Sequence, residues 1–328
     1  MCASWRPHVT KGLVLAAALL VAQVASAQSS AQGSDPEAGS VPERQTANPN
    51  VIEEVQVRGQ RMSEIEFNLP DYVRKFIGEV VALPQGGGHA RWYKSVCVSV
   101  VNLEPARAQY IVDRISLLAG QVGLKPGEPG CTPQVIVIFT VDADDVATNL
   151  VETQPLLFRP GGPACCMQLG LDALDEFKTS DKPVRWWHVS MPVDALLHQR
   201  AIQLGQDGPG NYPVITVEGP SRIHSGLIDE LYRAIIVVDA TKLTGTTWQQ
   251  IGDYLAVVSL AQVNPNTDPS AYDSILNVFS NPAAYSGLTD WDLSYVQALY
   301  KINLERLPGL QENQLVSRMV RTERDQAE

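Results

Sequence analysis

The stretch "IGDYLAVVSLAQVNP", residues Ile251–Pro265, decides the fold of this 328-residue chain. Residues 234–240, "AIIVVDA", form the continuous β-branched run that is typical of a buried strand. Residues 244–250, "TGTTWQQ", then place a threonine and a glutamine three positions apart, which predicts a capping box at the start of a helix. The stretch is therefore predicted to be a helix that follows a buried strand directly.

This predicted helix has apolar residues on all sides. Between Tyr254 and Val263 only Ser259 and Gln262 are plainly polar. A helix without a polar face is typically buried, so we expect this one to pack under the strand that precedes it.

The segments on either side predict the rest of the fold. Residues 69–83, "LPDYVRKFIGEVVAL", and residues 104–124, "EPARAQYIVDRISLLAGQVGL", carry apolar residues at helical spacing. Residues 134–141, "QVIVIFTV", predict a central buried strand, and residues 184–191, "VRWWHVSM", predict an alternating strand. Because strands and helices alternate, the sequence predicts one α/β (α+β) domain with a mixed, twisted sheet backed by helices.

The N-terminus has the features of a secretory signal peptide over residues 1–27. A basic end with Arg6 and Lys11 precedes an apolar segment too short to span a bilayer, and "ASA" at residues 25–27 predicts the cleavage site. We therefore expect export through a cleavable signal, to the periplasm or outside the cell. No later segment predicts an integral membrane helix.

Three regions follow the predicted signal peptide. Residues 28–62 are polar and acidic and predict a disordered lead-in with one short strand-like segment. Residues 63–305 predict the globular domain, and residues 306–328 predict a charged helical tail.

The chain is acidic, with 36 Asp and Glu against 25 Lys and Arg and a net charge of −11. Loss of Arg6 and Lys11 with the signal peptide makes the mature chain more acidic still. This charge disfavours nucleic acid and anionic lipid as partners.

Four cysteines remain after the predicted cleavage. Cys97 lies in a predicted strand, Cys131 precedes the next one, and a helix-length segment separates them, so the two strands are expected to be neighbours. In an exported chain this arrangement favours a Cys97–Cys131 disulfide, with free thiols as the alternative. Cys165 and Cys166 lie in a Pro/Gly loop and predict loop thiols or a second bridge rather than metal ligands.

The order of elements, together with "GLTDWDLSYVQALY" at residues 287–300, resembles the catalytic domain of metzincin-type zinc metallopeptidases. That segment is similar to their closing helix, and the resemblance covers residues 90–300. The chain is also similar to uncharacterised exported bacterial proteins with "RWW" and "LTxWD" segments. The resemblance implies a metzincin-like topology in which residues 251–263 take the place of the zinc-binding helix.

The zinc motif of that family is absent from this sequence. Zinc-binding helices in these enzymes carry two histidines four residues apart with a glutamate between them. Here the corresponding pairs include Tyr254/Val258 and Leu255/Ser259, and no histidine follows His224. We therefore expect no metal, no cofactor and no catalytic residue of the metzincin type.

The sequence predicts an exported, non-catalytic protein that binds a peptide or protein partner in the inherited cleft. The aromatic strand supplies Trp186, Trp187 and His188 as cleft-edge or ligand contacts, and the long loop after it supplies His224.

Two alternatives remain open from the sequence. One is a hydrolase with a non-zinc site around His188 or His224, paired with an acid such as Asp194 or Asp229. The other is an accessory protein of TonB-type uptake, because Val51–Gly59 resembles the start of TonB-dependent outer-membrane receptors.

Overall fold

A computed structural model describes residues 68–83, 87–158, 170–199, 202–203, 213–214 and 224–327. The predicted signal peptide, the acidic lead-in with Val51–Gly59, and the pair Cys165 and Cys166 lie outside these ranges.

Eight helices and eight strands make up the described chain. The helices are α1 Leu69–Val80, α2 Pro105–Gln121, α3 Ala143–Thr153, α4 Pro155–Phe158, α5 Gly170–Thr179, α6 Trp248–Leu260, α7 Asp290–Lys301 and α8 Pro308–Ala327. The strands are β1 Ser95–Val96, β2 Val98–Val101, β3 Lys125–Pro126, β4 Val135–Thr140, β5 Val184–Asp194, β6 Ile202–Gln203, β7 Pro213–Val214 and β8 Leu227–Asp239.

The main sheet has four strands in the order β2, β4, β8 and β5. The first three are parallel, and the edge strand β5 runs antiparallel to β8. Parallel and antiparallel strand pairs occur in the same sheet, and helices pack against it, which confirms the predicted mixed α/β class. Strand β4 has neighbours on both sides, as its continuous β-branched sequence predicts.

Alternate residues of the sheet face two different helical layers. Trp186 and Ile236 point into the larger core, which contains residues of α1, α2, α6, α7 and α8. Trp187 and Ile235 point into the smaller core, formed with α3, α4 and α5. The two-residue period of the strands thus divides the interior between the two faces.

Helix α6 lies in the larger core and packs against α2. Thr247 and Gln250 form the predicted capping box, and the residues from Gln250 to Leu260 are all buried, which confirms the prediction of a buried helix. Its one charged residue, Asp253, is paired with Arg114 of α2 and accepts a hydrogen bond from the Leu288 amide at 2.9 Å. Both carboxylate oxygens of this buried group are therefore satisfied.

The C-terminal helix α8 belongs to the core. Leu315 and Met319 are fully buried, and α8 packs against α1 and α7. The core therefore extends past residue 305, where the sequence places the end of the globular domain. Within the described residues, no helix is long and apolar enough to cross a membrane.

Cys97 and Cys131 form a disulfide, as the sequence predicts, with their Cα atoms 6.1 Å apart. Cys97 directly precedes β2 and Cys131 lies just before β4, and these two strands are neighbours in the sheet. Gly127 passes so close that a Cβ atom there would lie 3.0 Å from the Cys97 Cα. A side chain at residue 127 would therefore push the bridge apart.

The double variant Cys97→Ala/Cys131→Ala tests the bridge. Without the bridge, the unfolded chain regains the conformational entropy of the loop between two cysteines that are 34 residues apart. We therefore expect the free energy of unfolding to fall by about 2–4 kcal/mol. Urea unfolding followed by circular dichroism measures this. The control is Arg74→Ala, which removes an exposed ion pair with Asp71 and should change the free energy of unfolding by less than about 1 kcal/mol. Equal effects of the two changes would show that the bridge contributes nothing.

Candidate functional site

The C-terminal end of helix α6 is enclosed by other parts of the protein. Val258, Ser259 and Leu260 are each 0 % exposed. The last carbonyl groups of a helix have no N–H partner within that helix. Burial excludes water as well, so these carbonyls need donors from elsewhere in the chain.

Three side chains from three different parts of the chain supply the donors. The pairs are His188 Nε2 with the Val258 carbonyl at 2.7 Å, Trp92 Nε1 with the Ser259 carbonyl at 2.7 Å, and the Tyr300 hydroxyl with the Leu260 carbonyl at 2.9 Å. Each carbonyl of the last turn thus has one donor.

The chain that leaves α6 is held in the same way. Trp186 Nε1 donates to the Val263 carbonyl at 2.9 Å, and the Ala82 amide donates to the Gln262 carbonyl at 3.0 Å. The aromatic segment of β5 therefore fixes both the end of α6 and the chain beyond it.

His188 acts as a neutral hydrogen-bond donor. A carbonyl oxygen only accepts hydrogen bonds, so Nε2 carries the proton. Burial lowers the pKa of His188 to about 4, because the charged imidazolium would lose its hydration there. At neutral pH this histidine is uncharged.

The three residues predicted at a cleft edge on β5 are all buried, with exposures of 4 % for Trp186, 2 % for Trp187 and 7 % for His188. Trp187 points away from α6, and its Nε1 donates to the Phe158 carbonyl at 3.1 Å. Of the three, Trp186 lines the cavity described below.

His224 lies at the surface, where its Nδ1 is 3.9 Å from Glu305 Oε2. The acids considered as partners for a hydrolase have other contacts. Asp194 accepts hydrogen bonds from the Leu196 and Leu197 amides, and Asp229 accepts one from the Gly88 amide at 3.1 Å. His188 contacts the Val258 carbonyl, whereas the hydrogen bonds just given for the two acids come from backbone amides.

The residues of α6 do not fit the zinc ion that the metzincin resemblance implies. Pairs four apart on the helix include Gln249/Asp253, Gln250/Tyr254 and Leu255/Ser259, and none is a pair of imidazole or carboxylate ligands. In the part of the chain that the structure describes, no group of three or more His, Cys, Asp or Glu is placed to hold a metal ion.

A cavity of about 270 Å³ opens beside α6, between the start of β5 and the segment 263–280. We call it the aromatic pocket; its apolar walls are Val184, Trp186, Tyr254, Val263, Leu276 and Phe279. The Tyr254 ring meets Phe279 edge-on at 4.8 Å and Trp186 edge-on at 6.1 Å. Burial raises the pKa of Tyr254, so its phenol keeps its proton.

Polar groups surround this apolar interior. Lys182 donates to the Pro265 carbonyl, and burial lowers the pKa of its ammonium group. Asp268 accepts a hydrogen bond from the Ser270 amide at 3.0 Å, which lowers the pKa of its carboxyl group. The pocket thus combines aromatic walls with one cation and one carboxylate.

Asp292 holds the segment that carries Leu276 and Phe279. It forms the predicted capping box with Thr289 at the start of α7. Its carboxylate also accepts hydrogen bonds from the Ser274 hydroxyl at 2.5 Å and the Ile275 amide at 2.7 Å. The same residue therefore starts a helix and positions one wall of the pocket.

A second cavity, of about 350 Å³, contains a histidine–glutamate pair that the sequence analysis missed. His198 Nδ1 lies 2.5 Å from Glu230 Oε1, and the His198 ring stacks on Tyr93 at 3.6 Å. Burial raises the pKa of Glu230 against the opposing effects of His198, Arg91 and Lys94. The two partners are 32 residues apart, and no local pattern in the sequence indicates their contact.

Comparison of the chain with protein-family models, curated proteins and solved structures finds no match.

Replacing His188 by Leu tests its role as a neutral donor. The folded-state pKa near 4 lies below the unfolded value of 6.5, so between these limits the unfolded chain binds more protons and stability falls as pH falls. We expect the free energy of unfolding of the wild type to fall by on the order of 3 kcal/mol between pH 7 and 4 because of His188. The variant should lack this part of the pH dependence.

The comparison is made by urea unfolding of both proteins at pH 7, 5.5 and 4. At pH 7 the variant should itself be less stable by about 1–3 kcal/mol, because the Val258 carbonyl loses its donor. His89, whose pKa burial also lowers to about 4, is present in both proteins and cancels in the difference. Parallel pH profiles would exclude a buried neutral His188.

Proposed function

We propose that this protein is an exported, non-catalytic binding protein that holds a peptide or protein partner through one apolar side chain in the aromatic pocket. The observation that carries the proposal is the composition of this cavity. Trp186 of β5, Tyr254 of α6 and Phe279 form an apolar interior beside Lys182 and Asp268. Binding sites commonly combine aromatic walls with a few polar groups in this way.

The size of the pocket supports a peptide anchor. At about 270 Å³ it lies just below the range usual for drug-sized ligands, which suits a single large side chain. A buried aromatic or aliphatic anchor commonly dominates the energy of a protein interface. Lys182 and Asp268 line the same pocket, so the proposal assigns them to the polar groups of the peptide beside its anchor.

The composition of α6 supports a non-catalytic role. The metzincin-like scaffold, which the sequence resembles, is part of the proposal, and the antiparallel edge strand β5 and the position of α6 directly after β8 support it. Apolar residues and capped carbonyls occupy the positions at which those enzymes hold their metal. The proposed protein thus retains the scaffold and uses the neighbouring pocket for binding.

Export forms part of the proposal. The predicted signal peptide directs the chain out of the cytoplasm, and the Cys97–Cys131 disulfide is of the kind that persists in oxidising compartments. The alternative TonB contact through Val51–Gly59 concerns residues outside the described ranges and remains a prediction from the sequence.

The proposal is tested with mature protein panned against a phage-displayed library of random peptides. We expect the selected peptides to share one aromatic or large aliphatic position. Phe279→Ala, which removes a pocket wall, and Ser280→Trp, which fills the pocket from its rim, should each weaken binding at least about tenfold in fluorescence anisotropy.

Tyr110→Ala serves as the matched control, because Tyr110 is 38 % exposed on α2 and does not line the pocket. It should leave the affinity within about twofold. The bound peptides should also be recovered uncut by mass spectrometry. Binding that survives both pocket variants, or peptides that are cleaved, would refute the proposal.

A further inference from the structure

A groove of about 700 Å³ runs between α7 and α8, on elements that do not form the aromatic pocket. Four cationic residues line it, and Asp325 is the one acidic residue among its described lining residues. The cations are Lys301, Arg306, Arg318 and Arg321. We call this surface the basic groove.

The cations of the basic groove differ from several other cations of the described chain in their ion pairing. None of the four forms an ion pair within the described residues, whereas Arg114, Arg185 and Lys242 are each paired with an aspartate. The chain carries 36 acidic residues, so a groove lined by four cations and one carboxylate departs from its overall charge.

Local helix chemistry explains only part of the cluster. Lys301 lies in the last turn of α7, where a cation complements the helix dipole. Arg318 and Arg321 lie well inside α8 and are exposed, so neither a helix end nor core packing accounts for them. Glu323 of the same helix does not line the groove.

We infer that the basic groove binds an acidic peptide segment of a partner protein. Arginine guanidinium groups bind carboxylates through paired hydrogen bonds, and the neutral donors Gln297 and Asn313 line the same groove. The groove follows α8 from Leu310 to Asp325, a length of roughly 22 Å at the helical rise, which matches about seven extended residues.

The net charge of the whole chain favours a short acidic peptide over a long polyanion as the ligand of the basic groove. A net charge of −11 repels nucleic acid at long range. A few carboxylates within the groove interact mainly with charges closer than about 8–10 Å, and the lining of the groove itself has four cations and one carboxylate.

Fluorescence anisotropy of the mature protein with a labelled octapeptide of Glu and Ser tests this inference. We expect saturable binding that weakens as salt rises, and no binding of the same peptide with Gln in place of Glu. The double variant Arg318→Glu/Arg321→Glu should lower the affinity at least about tenfold. Both residues are exposed, and circular dichroism checks that the fold is kept.

Arg324→Glu is the matched control, because Arg324 is exposed on the same helix and does not line the groove. It should change the affinity by less than about twofold. Phe279→Ala should have no effect, which separates this surface from the aromatic pocket. The inference is overturned if the Gln peptide binds equally, if Arg324→Glu matches the double variant, or if a single-stranded oligonucleotide or inorganic phosphate competes at lower concentration.

Discussion

The buried C-terminal end of helix α6 sets the constraint that the surrounding structure meets. Its last carbonyls lie in the core, where an unpaired acceptor costs about 1–3 kcal/mol each. His188, Trp92 and Tyr300 come from the edge strand, the segment before β1 and helix α7. Because one helix end requires all three, the placement of the edge strand and of α7 depends on α6. The ring N–H groups of Trp186 and His188 on β5 are thus hydrogen-bonded to carbonyl groups inside the protein.

This constraint also locates the proposed binding site. The middle of β5 is covered, so the cavity opens where the strand begins, between Trp186, Tyr254 and the segment that ends at Phe279. Asp292 fixes that segment through Ser274 and Ile275. A peptide partner would therefore meet a wall whose position is set by the first turn of α7.

Local signals in the sequence predict much of the fold. The capping boxes at Thr247 and Thr289, the buried helix between them and the central strand β4 all follow from patterns within a few residues. Contacts between distant residues do not follow from such local patterns. Aromatic alternation predicts β5 as a strand, but it does not indicate that His188 reaches a carbonyl 70 residues away. Likewise, the polar and charged residues along α8, such as Ser317 and Arg318 between Leu315 and Met319, do not indicate that this helix has a buried face.

The free energy of unfolding of Tyr300→Phe tests most directly whether α6 depends on side-chain donors. The change removes one hydroxyl and keeps the ring, so it leaves the Leu260 carbonyl buried without its donor. We expect a loss of about 1–3 kcal/mol in urea unfolding, compared with less than about 0.5 kcal/mol for Tyr110→Phe at an exposed position. Equal stabilities of the two variants would contradict the dependence of α6 on these donors.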